Sequence, residues 1–129
     1  MLPANDLDYL RTGAPGHTVS NEAGMICVLL PAFPLPEGLS HAQSDLLLRL
    51  SPGYPDVPPD MWWFDPPIRQ HNGGEIVATQ VQERHLGRDW QRWSRHLSVG
   101  QWRSGIDSVE SYLALVRREL AAAASKAVA

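Results

Sequence analysis

The chain has 129 residues, a formal net charge of −3 and a single cysteine, Cys27. That length suits one domain with a sizeable core, and one thiol rules out an internal disulfide. A slightly acidic whole-chain balance excludes the broad basic field of a nucleic-acid or membrane binder, and no apolar run approaches the roughly 20 residues of a membrane span.

The opening MLPANDLDYL lacks a basic region followed by an apolar run, so it does not read as a secretory leader; with the lone thiol this leads to a cytoplasmic expectation. Asn5 to Arg11 reads as a short helix, with Asn5 as cap, Asp8 as its capping-box partner, and Leu7 and Leu10 facing inward. Gly13 to Ala23 is rich in turn formers, with a weak strand around Thr18 and Val19. Gly24 to Leu30 (GMICVLL) is a continuous apolar run with β-branched residues between Gly24 and Pro31, the pattern of a buried strand.

Pro31, Pro34 and Pro36 are expected to interrupt regular structure before Gly38 turns the chain. Ser44 to Leu50 (SDLLLRL) is a second strand, antiparallel to the first, with Arg49 on its open face. Ser51 to Asp60 (SPGYPDVPPD) suits neither helix nor central strand, and Met61 to Phe64 (MWWF) is a third strand ended by Pro66 and Pro67. Gln70 to Gly74 is a turn, and Glu75 to Val81 an expected edge strand. Arg84 to Leu97 is ambiguous: Trp90, Trp93 and Leu97 have helical spacing, yet Gly87 suits an irregular segment.

The last element is the most regular. Ile106, Val109, Leu113, Val116 and Leu120 form a stripe at steps of three and four, with Asp107 as expected N-cap, Glu110 as its partner, and Arg117 and Arg118 in the half that suits the helix dipole. The expected organisation is a domain over residues 1–122 and a fraying tail over 123–129. The fold class is α+β, a short N-terminal helix and a long C-terminal helix packed on an antiparallel meander sheet.

The run LLLRLSPGYPDVPPDMWWF resembles the centre of the ubiquitin-conjugating (UBC, or E2) fold, where a strand leads into a Tyr-Pro-x-x-Pro-Pro loop and then another strand. Here the loop is Tyr54, Pro55, Asp56, Val57, Pro58 and Pro59. FPLPEG, GRDWQRWSRH and QWRSGIDSVESYLALVRREL extend the resemblance over nearly the whole chain and narrow it to prokaryotic E2 family E. Tyr54, Pro55, Pro58 and Pro59 read as a structural brace, because prolines reduce the entropy a fixed loop loses and a tyrosine stacks on them.

The resemblance implies a partner set: a ubiquitin-like protein, an E1-like adenylating enzyme, and a metallopeptidase that reverses the linkage. It implies no cofactor. It also implies a thioester-forming cysteine after a His-Pro-Asn motif, because a thiolate combines nucleophilicity with leaving ability. In IRQHNGGEIVAT, His71 and Asn72 echo that motif without its proline, and Val77 stands near the catalytic position. Cys27, inside an apolar strand, reads as core.

The expected function is therefore a non-catalytic E2-like component of a bacterial ubiquitin-like modification system. The alternative is an enzyme acting through a non-cysteine residue, with His71, Asn72 or His96 involved. Trp90, Arg92, Trp93, Arg95 and Trp102 are the candidate partner-binding residues, since Trp and Arg dominate interface hot spots. The same segment permits a weaker reading, single-stranded nucleic-acid binding. Ser94 with His96, and His71, His85 and His96 as a metal set, match no catalytic or ligand spacing.

Overall fold

The computed structural model describes the backbone of residues 2–128 and the side chains of residues 2–125. The chain forms helix α1 (Ala4–Gly13), strands β1 (Thr18–Glu22), β2 (Met25–Pro34), β3 (Gln43–Leu50), β4 (Trp62–Asp65), β5 (Gln82–His85) and β6 (Arg88–Trp93), and helix α2 (Val109–Val128). The strands make one antiparallel sheet in the order β1-β2-β3-β4-β6-β5, so the architecture is α+β as expected. The first four strands meander; the β5–β6 hairpin then joins through its second strand, which the simple meander did not anticipate.

Alternation along each strand separates two cores. Val28, Leu46, Leu48, Trp62, Phe64 and Trp93 face the helices, where Leu10 of α1 and Leu113, Val116 and Leu120 of α2 cover them. The opposite face carries its own buried cluster of Cys27, Leu47, Trp63 and Trp90. That second core exists because the sheet curls. The Glu22 carboxylate on edge strand β1 accepts the Leu86 amide at 2.8 Å, although in a flat sheet β1 and the β5–β6 hairpin would stand about 20 Å apart at the usual strand spacing.

Several expectations change, each for a local reason. Helix α1 begins at Ala4 with Pro3 at its cap, so Asn5 does not cap it; Leu7 is exposed while Leu10 is fully buried. Strand β2 runs on through Pro31 and Pro34, because β1 starts opposite Leu29 and leaves that edge without a partner that would need the missing N–H groups. A bulge between Leu30 and Phe33 absorbs Ala32, whose φ of 52° is left-handed and whose amide donates to Asp45.

Glu75 to Val81 is not a strand. Ala78 is left-handed at φ 58°, and the Thr79 hydroxyl and Gln80 amide both donate to the Ile76 carbonyl, so that backbone acceptor is satisfied locally. The helical spacing of Trp90, Trp93 and Leu97 is misleading, since β6 is a strand. Leu86 and Gly87, both at positive φ, make the two-residue turn before it, the counterpart of Ala23 and Gly24 between β1 and β2. Asp107 does not cap α2: its carboxylate accepts the Arg103 amide, and Ile106 is exposed. Helix α2 keeps Ala123 and Ala124 buried in its last described turns.

Candidate functional site

After β4, the chain makes the turn expected at Gln70 to Gly74. The Gln70 amide donates to the Gly74 carbonyl, the Gly73 amide donates back to Gln70, and Leu39 bridges Gln70. Asn72 uses its side-chain oxygen inside this turn, accepting the Gly74 amide at 2.9 Å. The His71 amide donates to Gly38, and the His71 side chain lines an open cleft with Leu35, Leu39 and His41. The pair that echoes the E2 motif is thus held by the turn, with Asn72's oxygen committed to it.

Val77, the residue near the expected cysteine position, is 72% exposed on the rim of a small cleft of about 80 Å³. Gln70, Ile76, Arg95 and Glu119 line the same cleft. Arg95 ties it together: its Nη1 donates to the Val77 carbonyl at 3.0 Å and its Nε to Glu119 of α2 at 2.6 Å, with the guanidinium over the Trp93 ring. Sequence reasoning named Arg95 but missed Glu119, which carries no signal beyond its place on α2.

Cys27 is fully buried between Leu47, Trp63 and Trp90. Its cross-strand partner is Arg49, so a cation does stand beside the thiol, but no path to solvent accompanies it. A thiol enclosed by apolar side chains is a packing group.

The Arg/Trp segment divides in two. Trp90 and Trp93 are both 0% exposed and lie on opposite faces of the sheet, so they do not form one partner-binding surface with their neighbours. Arg92 pairs with Glu83 at 2.8 Å. Burial pushes the Glu83 carboxyl up, but hydrogen bonds from His85, Trp63 and Arg92 outweigh it and hold it below its ordinary range. Trp102 is half-buried against Tyr54 and Tyr112, donating to the Pro55 carbonyl at 2.8 Å. Trp90 and Trp93 are enclosed, and Arg92 and Arg95 are engaged by Glu83 and Glu119.

His96 contacts Asp60 at 2.6 Å on the surface, far in sequence from the His71 turn. Among the described residues, no group of three or more His, Cys, Asp or Glu is placed to share a metal ion. No helix among them is long and apolar enough to cross a membrane.

The proline loop acts as a brace. Tyr54 is buried, packs at a tilt against Trp102, and donates through its hydroxyl to Asp6. Ser104 donates to Asp56, so the loop is bound to the segment that leads into α2. An N-terminal helix, a curled antiparallel sheet, this braced loop and a long final helix define a UBC-like α+β protein. The model of prokaryotic E2 family E matches residues 2–123, and the chain belongs to that family. No curated protein and no solved structure matches the chain. Family membership implies a role in a ubiquitin-like conjugation system.

Proposed function

We propose that this chain is a non-catalytic E2-like component that binds a ubiquitin-like protein or an E1-like enzyme reversibly. Two observations support the reading: Val77, which stands near the position where the resemblance would put the thioester cysteine, is an exposed valine, and the chain's one thiol is sealed inside the second core. Without an accessible thiolate, covalent carriage has no competent nucleophile and leaving group at neutral pH. Asn72 spends its side-chain oxygen inside the turn and His96 is hydrogen-bonded to Asp60, while the His71 ring on its open cleft has no thiol beside it.

The surface for reversible binding is proposed at the loop end of the molecule. Val57 and Ile106 are exposed there on two segments joined by the Asp56–Ser104 hydrogen bond, with Trp102 wedged beneath. Exposed aliphatic groups around a half-buried tryptophan suit a small protein interface.

The test is incubation with a ubiquitin-like protein, an E1-like enzyme and ATP. Reversible co-elution without an adduct, weakened by Ile106→Ser, is the expected result. A covalent adduct on the unaltered chain, resistant to denaturation, would overturn the reading and favour an enzyme acting through a non-cysteine residue.

A further inference from the structure

A separate pocket lies between the end of α1, the bulged end of β2 and α2. It encloses about 280 Å³, near the lower end of small-ligand sites. The sequence creates it in three steps. Strand β1 begins at Thr18 opposite Leu29, so β2 from Leu30 to Pro34 has an open side. The left-handed Ala32 bulges the strand there. Pro31 and Pro34 lack the N–H groups that an added strand would use, so the opening does not suit β-augmentation.

The floor is apolar. Leu30, Phe33 and Leu113 are each at most 4% exposed. Above it, the Arg117 guanidinium stacks over the Phe33 ring at 5.2 Å. Among the described residues, no carboxylate lies within ion-pair distance of Arg117. Asp45, whose carboxylate accepts the Ala32 amide at the bulge and pairs with Arg88, is not part of the pocket wall. In a chain of net charge −3, this pocket has Arg117, His17 and Tyr9 as its only ionisable walls and no carboxylate among them. The His17 Nδ1 donates to the Ala14 carbonyl at 2.6 Å, which holds the ring at the mouth.

We propose that this pocket binds a small amphipathic monocarboxylate, with its apolar body on Leu30, Phe33 and Leu113 and its carboxylate on Arg117. The shared chemistry is that of a free aryl or alkyl acid and of an apolar C-terminal residue of a polypeptide. Size and polarity point the same way: the volume suits a single ring or branched chain, and the one positive group at the rim sets the sign of the ligand's charge.

The test is an amide NMR titration of the full chain with 3-phenylpropionate and, separately, with neutral 3-phenylpropanamide. Saturable shifts are expected at Gly13, Gly16 and Ala32, with the acid binding about threefold or more tightly than the amide, the scale of one partly solvated charge pair. Arg117→Gln is expected to remove that preference, while Arg118→Gln, outside the pocket, preserves it. Gly16→Leu tests the apolar part independently. A Cβ at Gly16 meets only the Pro31 ring, at an ordinary 3.5 Å, so the fold tolerates it while the larger side chain fills the mouth and blocks both ligands.

A phenylalanine-terminated tetrapeptide, free or amidated, separates the two sources. Acid-preferring peptide binding identifies a chain terminus, and exclusion of the peptide with retention of phenylpropionate identifies a free acid; both support the pocket. No saturable shift up to about 20 mM, equal affinity for acid and amide, or shifts centred on other residues would overturn the proposal.

Discussion

Tyr54 of the proline loop donates its hydroxyl to Asp6 Oδ2 at 2.7 Å, while Asp6 Oδ1 accepts the Val109 amide at 2.9 Å. One buried carboxylate in α1 therefore holds the loop and caps α2, whose first amides have no partner within the helix. Asp6→Ala strands a buried hydroxyl and a buried amide, and is expected to cost about 2–4 kcal/mol in urea unfolding. Asp6→Asn keeps one acceptor and should cost less, and Tyr54→Phe about 1–2 kcal/mol. A double-mutant cycle of Asp6→Asn with Tyr54→Phe should show coupling; additive losses would mean that the contact does not brace the loop.

Stability should fall at both ends of the pH scale, with separate residues responsible. Burial first, and then the Asp6 carboxylate, push the Tyr54 hydroxyl well above its usual 10.0, and burial with Asp60 nearby does the same to Tyr112. The unfolded chain releases these protons as pH passes about 10 while the folded chain keeps them, so stability is intact below that pH and lost above it. Tyr112→Phe should flatten the alkaline limb of the urea midpoint. Glu83 works the other way: its depressed folded value gives stability that is present above the unfolded value near 4.5 and lost as pH falls through the folded one. Glu83→Gln should flatten the acid limb.

The Cys27 thiol should report the opening of the second core. In the native protein a disulfide-exchange reagent is expected to react no faster than the chain unfolds or the curl opens. Glu22→Ala removes the acceptor of the Leu86 amide and should raise that rate about tenfold without full unfolding, the signature of a sub-global opening. An unchanged rate at unchanged stability would show that the link does not hold the sheet closed.

Arg88 joins three strands, bridging Asp45 of β3 and Asp65 of β4 at 2.9 and 2.8 Å from β6 while stacking on Trp90 at 4.4 Å. Arg88→Met removes the charges' partner but keeps much of the stem. Because the group is partly solvated, the expected loss is about 1 kcal/mol, smaller at high salt. A loss independent of salt would assign the contribution to packing on the indole.

The elements that sequence alone located have strong, local signals. The apolar run around Cys27, the SDLLLRL strand and the stripe from Val109 to Leu120 all stand where their periodicity put them. What it misread depends on distant partners. Asp107 has the right spacing for a cap, but the cap arrives from Asp6, 103 residues earlier than Val109. Leu86 is an unusual turn residue, so its hairpin was hidden, and Trp90 and Trp93 took on a helical look from three-residue spacing alone. At the candidate site, the missing thiol was legible outright. The hold of Arg95 on Val77 and Glu119 was not, because it joins three segments that only the fold brings together.

The curl tied by Glu22 and Leu86 has a consequence for how the molecule can be approached. A sheet with helices on one side normally offers its other side as a broad platform, yet here that side is folded in on two tryptophans and a cysteine. A visiting protein meets corners, loop tips and the flank of α2, where contact is made by a few side chains at a time. Under the proposed binding role, turnover would be governed by how quickly a small set of anchors lets go.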